Sequence, residues 1–414
     1  MTHADGRNML TTAQAAARLG VKPETVYAYV SRGLLTSTRL TGVRGSVFDV
    51  DEVESLAGRD TARRTDIGAV ERIRTRITLI DDGHLYYRGR DAVELSSRAF
   101  ESVAHFVWTG ELLDEVHFHA DSVVVQRCRE ATTLVSPDCR SIDRIRIAVD
   151  IASTYRPMRF DTGSTSVVRE AGQLLATVAA ALGGGSPELS VAESVWAAVK
   201  SDSSDPNGLA VLQAALVLMA DHGLAASTLG VRVAASTRAN LYSAVSAGLG
   251  CIDGPLHGSA ADPVYRFLTT AIDDPIGALA TQLRSGERVP GFGHVIYTDR
   301  DPRAEELLRL LRDPAHGADP VVIAAADTII EEVSSRFDTF PNSDFALATF
   351  TLAYGLRADT PEMLFALAAL SDGRHTPSRN TTKRPFAFGF QASTRGLDRE
   401  PTEAGNLLRR RAVQ

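Results

Sequence analysis

From about residue 100 to residue 370, apolar residues recur three and four positions apart, and short polar intervals separate the stretches. That period is helical. Phe100, Val103, Ala104, Val107 and Trp108 form one such stripe, and Gly110 closes it. Gln173 to Leu182, Val191 to Val199 and Gly208 to Leu218 are alanine-rich helices on the same pattern. So many small apolar side chains suit closely packed helices around a large core. Asp202 to Gly208 and Arg312 to Pro320 read as polar connections. Sheet is confined to the front of this region. Ile73 to Ile80 largely alternates, and Asp82-Gly83 is a hairpin turn. The pattern predicts a mainly α fold with no internal repeat.

The first 57 residues form a separate module, and 58–72 a linker that begins GRDTARRT. Thr12 is the expected N-cap of a short helix ending at Gly20. Lys22-Pro23-Glu24 opens a second helix, with Val26, Tyr27 and Val30 facing its neighbour and an end at Arg32-Gly33. Short strands are expected around Leu40 and Val47, joined near Gly42 to Gly45, with Asp49 or Asp51 capping a further helix. This order resembles the winged helix-turn-helix of MerR and excisionase-like proteins. The resemblance implies phosphate contacts by Lys22, Arg32, Arg39 and Arg44. Such modules also serve as protein–protein contacts, so residues 11–57 bind either DNA or a partner protein.

Charge and composition narrow the setting. A net charge of -7 gives no global pull toward nucleic acid or an anionic membrane. Three cysteines, Cys128, Cys139 and Cys251, lack metal-type spacing and suit a reducing cytoplasm. The opening MTHADGRNML is not a signal peptide. The longest apolar runs, such as Ala214 to Ala220, are far short of a membrane span.

The candidate chemistry begins with VPGFGHVIYTDRDPRA, residues 289–304. Two glycines bracket Phe292, His294 follows, and Arg303 comes after an Asp-Pro turn. Glycine lets backbone approach a ligand closely. A histidine there can donate to a carbonyl oxygen, and an arginine fork can grip a carboxylate, which together describe a 2-oxo acid. A surface turn carrying a solvated His and Arg explains the stretch equally well, so its partners decide. His222, in LVLMADHGLAAST, reads alone as a satisfied core histidine. His257, in GPLHGSAADPV, is either a plain turn histidine or a neutral imidazole at a helix start, able to donate to an oxygen becoming an enolate. Asp344, in FPNSDFALATFTLAYG, is either part of an N-cap or a carboxylate base partly desolvated by phenylalanines.

Together, LYYRGRDAVELSSRAFESVAHFVWTGEL, ADHGLAASTLGVRVAAST, GPLHGSA, VPGFGHVIYTDRDPRA and FPNSDF resemble the citrate synthase family, in the family's order, over residues 73–370. The resemblance implies a large and a small helical domain closing over the site in a homodimer. It implies condensation of acetyl-CoA with oxaloacetate, then hydrolysis of the thioester, with no cofactor and no metal. By this analogy Asp344 takes a proton from the acetyl methyl group, and His257 stabilises the enol. His294 polarises the ketone, and Arg303 and His222 hold the substrate's oxygens. A 2-methylcitrate synthase using propionyl-CoA differs by one methylene, worth only ~1–3 kcal/mol in a pocket. A helix-turn-helix regulator with a metabolite-sensing domain is the reading from another class.

The chain departs from the family at its end. Where the family continues after LFALA with an arginine that holds a substrate carboxylate, this chain has Ala369. Residues 371–414 lose apolar periodicity, and Arg384-Pro385 is the tail's only echo of a later arginine that reaches the partner's site. Back-translating Ala368 to Leu397 and joining each codon's last base to the next two permits RAVGWTAHSLEEYDKAPLRLRVSSVYTGP. That string carries the arginine, Gly-Trp, Ala-His and Tyr-Thr-Gly that the family has. The favoured reading is a frameshift near Leu367, in the gene or its reading; a divergent, partly disordered tail is the alternative.

Overall fold

The computed structural model describes residues 2–4, 7–19, 21, 23–31, 34–38, 46–49, 52–53, 77–81, 83–136, 138–183, 186–200, 206–221, 225–254 and 257–370. Two compact units result, Met1–Arg74 and Thr75–Gln414.

In the first unit, β1 (Thr2–Ala4), β2 (Arg7–Thr11), β3 (Ser37–Thr38) and β4 (Val47–Asp49) form one sheet in the order β1-β2-β4-β3. All its pairs are antiparallel. Helix α1 spans Thr12–Leu19, and α2 (Pro23–Ser31) begins at the expected proline. Leu10, Ala15, Val26 and Phe48 share a small core. Three expectations change. The predicted strand near Leu40 lies at Ser37–Thr38, because there the chain pairs with buried Val47 and Phe48. Thr11, not Thr12, caps α1, its hydroxyl accepting from Gln14 N–H at 3.4 Å; Tyr27, although half exposed, meets α1 through its hydroxyl, 3.3 Å from that of Thr12. The two amino-terminal strands were not foreseen, because the opening stretch is short and largely polar. Lys22, Arg32, Arg39, Arg44, the 58–72 linker and the tail 371–414 lie outside the described residues.

In the second unit, the expected hairpin is β5 (Thr78–Asp81) with β6 (His84–Tyr87), extended by β7 (Arg90–Asp91). Gly83 takes φ +72 in the turn, a conformation that favours glycine. Beyond β7 every regular element among the described residues is helical, apart from an isolated bridge between Phe292 and Pro341. The predicted helices lie within Phe100–Thr109, Ser164–Gly183, Val191–Val199 and Pro206–Leu218. Gly110 closes the first at φ 84. The Arg312 to Pro320 connection holds a 3₁₀ turn, Pro314–His316, because Asp313 caps it.

Two hydrophobic cores divide this unit. The larger gathers Tyr87, Phe100, Trp196, Leu216 and Phe350. The smaller gathers Phe267, Leu279, Ile329 and Phe345. The helix Ser343–Ala353 serves both, with Phe345 and Ala348 in the smaller core and Leu347 and Phe350 in the larger. Its first turn is therefore fixed from two sides, and that turn carries Asp344. No helix among the described residues is long and apolar enough to cross a membrane.

Candidate active site

Backbone, not side chains, first brings the candidate residues together. Gly291 and Gly293 take φ +84 and +73. A Cβ on Gly291 would stand 2.9 Å from the Cβ of Phe345, so the absent side chain permits the approach. The segment around Phe292 then zips to 340–342. Gly293 N–H donates to Phe340 C=O at 2.8 Å, and Asn342 N–H donates to Gly291 C=O at 2.9 Å. Asn342 also donates its Nδ2–H to Gly293 C=O at 2.9 Å, while its Oδ1 accepts from the amides of Asp344 and Phe345. One asparagine thus caps the 343–353 helix and ties it to the loop holding His294. Asp344 is consequently one residue inside the helix, and its carboxylate is not used as the cap.

A buried ion pair anchors the other side. Asp301 is wholly buried and caps the helix Pro302–Arg312. Its carboxylate accepts from Arg303 Nε at 2.9 Å and Nη2 at 2.8 Å, and from Ser343 N–H at 3.0 Å. A bidentate, charge-assisted pair of this kind holds both partners rigidly. Burial raises the Asp301 carboxyl, but the Arg303 guanidinium outweighs it and holds the group below the usual range. Burial lowers Arg303, yet Asp301 dominates and keeps it firmly charged. The guanidinium lies 5.2 Å from the centre of the Tyr297 ring.

His294 meets this pair at its edge. Its Nδ1 accepts from the amides of Ile296 at 3.1 Å and Tyr297 at 3.3 Å. The neutral ring therefore carries its proton on Nε2. Nε2 faces Arg303 Nη2 at 3.4 Å. Burial, then the nearby guanidinium, lowers the histidine's affinity for a second proton. Two donors so placed satisfy each other poorly and suit one shared acceptor oxygen. Asp344 has the opposite character: burial pushes its carboxyl up to about 6, against the pull of Arg303 and with the repulsion of Asp301.

His257 precedes the 3₁₀ turn Gly258–Ala260, which runs into the helix Ala261–Ala271. Its Nε2 lies 2.8 Å from the hydroxyl of buried Ser227. The structure thus brings His294, Arg303 and Asp344 into one electrostatic group, whereas the hydrogen-bond partner found for His257 is Ser227. His222 and Arg384 lie outside the described residues. Sequence reasoning missed Asp301, Tyr297, Asn342 and Ser227. Asp301 and Asn342 left a signal, the Asp-Pro step that opens one helix and the Pro-Asn-Ser-Asp capping sequence that opens another.

Comparison with known proteins identifies the family. The family model for the citrate synthase C-terminal domain matches residues 68–371. Citrate synthase from Haloferax volcanii is 30% identical over 319 residues, 70% of this chain and 83% of that one. The 2-methylcitrate synthase 1 of Corynebacterium glutamicum is 28% identical over 323 residues, 70% and 84% of the two chains. The solved citrate synthase of Thermoplasma acidophilum, a ternary complex with carboxymethyl coenzyme A and oxaloacetate, superimposes with a TM-score of 0.63 at 22% identity, covering 81% of this chain and 97% of that one. Fold and site together define an enzyme of the acyltransferase class. The chain belongs to the citrate synthase family.

Proposed function

We propose that this enzyme condenses acetyl-CoA with oxaloacetate and hydrolyses the resulting thioester to citrate and CoA. Asp344 removes a proton from the acyl methyl group; a carboxyl pushed up to about 6 by burial is a stronger base than an ordinary aspartate and is still ionised at neutral pH. His257 donates to the thioester oxygen as negative charge develops there. A Ser227 hydroxyl donating to Nε2 leaves the ring proton on Nδ1, where it can be given. His294 and Arg303 hold oxaloacetate, the imidazole at the ketone and the guanidinium at a carboxylate, with His222 as a further donor. The observation that carries the reading is the pair of donors 3.4 Å apart, His294 Nε2–H and Arg303 Nη2–H, beside a base of raised affinity for protons. We include a homodimer, which the exposed i,i+4 pair Leu229 and Val233 supports, and a cytoplasmic setting.

The relatives include 2-methylcitrate synthases, so propionyl-CoA is the second acyl donor to test. DNA contact by residues 11–57 and a reduced affinity for oxaloacetate, from Ala369 and the tail beyond it with Arg384, belong to the same proposal. The test is thiol release with acetyl-CoA or propionyl-CoA and oxaloacetate. Turnover that disappears in Asp344→Ala is expected. No release with either thioester, together with salt-sensitive DNA binding altered by oxaloacetate, would replace the enzyme with a regulator.

A further inference from the structure

The chain crosses from the larger core to the smaller one between Ile252 and Val264, and His257 sits on that crossing. Both ends of the crossing are held by one pair of side chains. Glu362, in the first turn of the helix Thr360–Ala369, is buried, and its Oε1 accepts from Ser259 Oγ at 2.7 Å. The same Oε1 accepts from Arg140 Nη1 at 3.2 Å. Arg140 uses its other terminal nitrogen on Asp253, which closes the helix Leu241–Ile252. Asp253 and Ser259 therefore flank His257 and lead to the same guanidinium–carboxylate pair. Within the loop, His257 N–H donates to Gly254 C=O at 3.0 Å, and Ala260 N–H to His257 C=O at 3.0 Å. Gly258 lies against Ile252, where an added Cβ would stand 2.3 Å from its Cγ2. The backbone is pressed down here.

The geometry points to Glu362 and Ser259 as positioning residues: with Arg140 they form a latch across the core-to-core crossing that sets where His257 presents its imidazole. Neither touches the reacting atoms. The latch acts through the loop backbone, while Ser227 meets the ring directly. This inference rests on the acyltransferase reading only for its kinetic consequence.

The experiment combines two measurements on the full chain: amide hydrogen exchange by mass spectrometry over 250–262, and acyl-CoA kinetics beside oxaloacetate binding by calorimetry. Ser259→Ala should speed exchange in that segment about tenfold, the loss of one hydrogen bond, and Glu362→Ala, which removes the acceptor of two, at least as much. They should lower kcat about ten- to a hundredfold through a displaced donor. Oxaloacetate affinity should stay within about twofold, because His294 and Arg303 are untouched. Glu362→Gln keeps an acceptor for Ser259 and should recover much of both losses. Unchanged exchange in both alanine variants overturns the latch. So does a loosened loop with undiminished kcat, or a Gln variant as impaired as the Ala one. If the unsubstituted chain releases no CoA, the acyltransferase reading fails by itself, and exchange alone then decides whether the latch exists.

Discussion

Asp344 offers a test in which stability and activity move in opposite directions. Its carboxyl is raised from an ordinary 3.8 to about 6, first by burial, and the Arg303 guanidinium only partly offsets this. That gap corresponds to about 3 kcal/mol of native-state cost for the charged form at neutral pH. The sign follows from proton binding. The native state holds this proton more tightly than the unfolded chain does, so the stabilisation is complete below about pH 4. It is lost as pH rises through about 6, and stability contributed by this group is then flat. Asp344→Asn removes the charge while keeping the shape. The variant should therefore match the parent near pH 4 and exceed it by up to about 3 kcal/mol at pH 8. Its turnover should fall by roughly 10²–10⁴-fold, the usual share of a general base. Urea unfolding at pH 4, 5, 6 and 8, run on both proteins, reads the difference directly. A variant less stable than the parent at pH 8, or a difference that does not change with pH, would refute the reasoning that burial sets this carboxyl.

Four further outcomes are expected. The acid limb of kcat/KM should fall below about pH 6 as Asp344 takes up its proton, seen in a pH–rate profile from 5 to 8. Arg303→Met strands the wholly buried Asp301, so urea unfolding should show a loss of about 3–5 kcal/mol, and calorimetry should find oxaloacetate binding abolished. Gly291→Ala forces a side chain into φ +84 against Phe345 and should cost more than Gly89→Ala, at φ +83 with open space around it; comparing the two unfolding midpoints separates crowding from backbone strain. Replacing residues 369–397 with RAVGWTAHSLEEYDKAPLRLRVSSVYTGP should tighten oxaloacetate binding by about a hundredfold or more if a missing arginine limits it, and sequencing the DNA across Phe365 to Gly373 shows whether that frame is encoded.

Much of this protein could be read along the chain. Helix periodicity, the Asp82-Gly83 turn and Gly110 as a helix stop depend on residues close in sequence, so local patterns specify them. The five motifs identified the family for the same reason. Adjacent threonines give the same local signal, so Thr12 is read as the cap that Thr11 supplies. The roles within the site also needed the fold. That Asp344 is spared from capping follows from Asn342, whose second hydrogen bond goes to Gly293, 49 residues away in the chain. Asp301 looks like an ordinary helix cap until Ser343 and Arg303 converge on it. Nothing near Ser259 in sequence announces Glu362, 103 positions later. Local order told which residues form helices and which ones have the right chemistry. Proton affinities came only from tertiary packing, because burial and facing charges are set by residues far apart in the chain, whereas the tautomer of His294 is set locally by the amides of Ile296 and Tyr297.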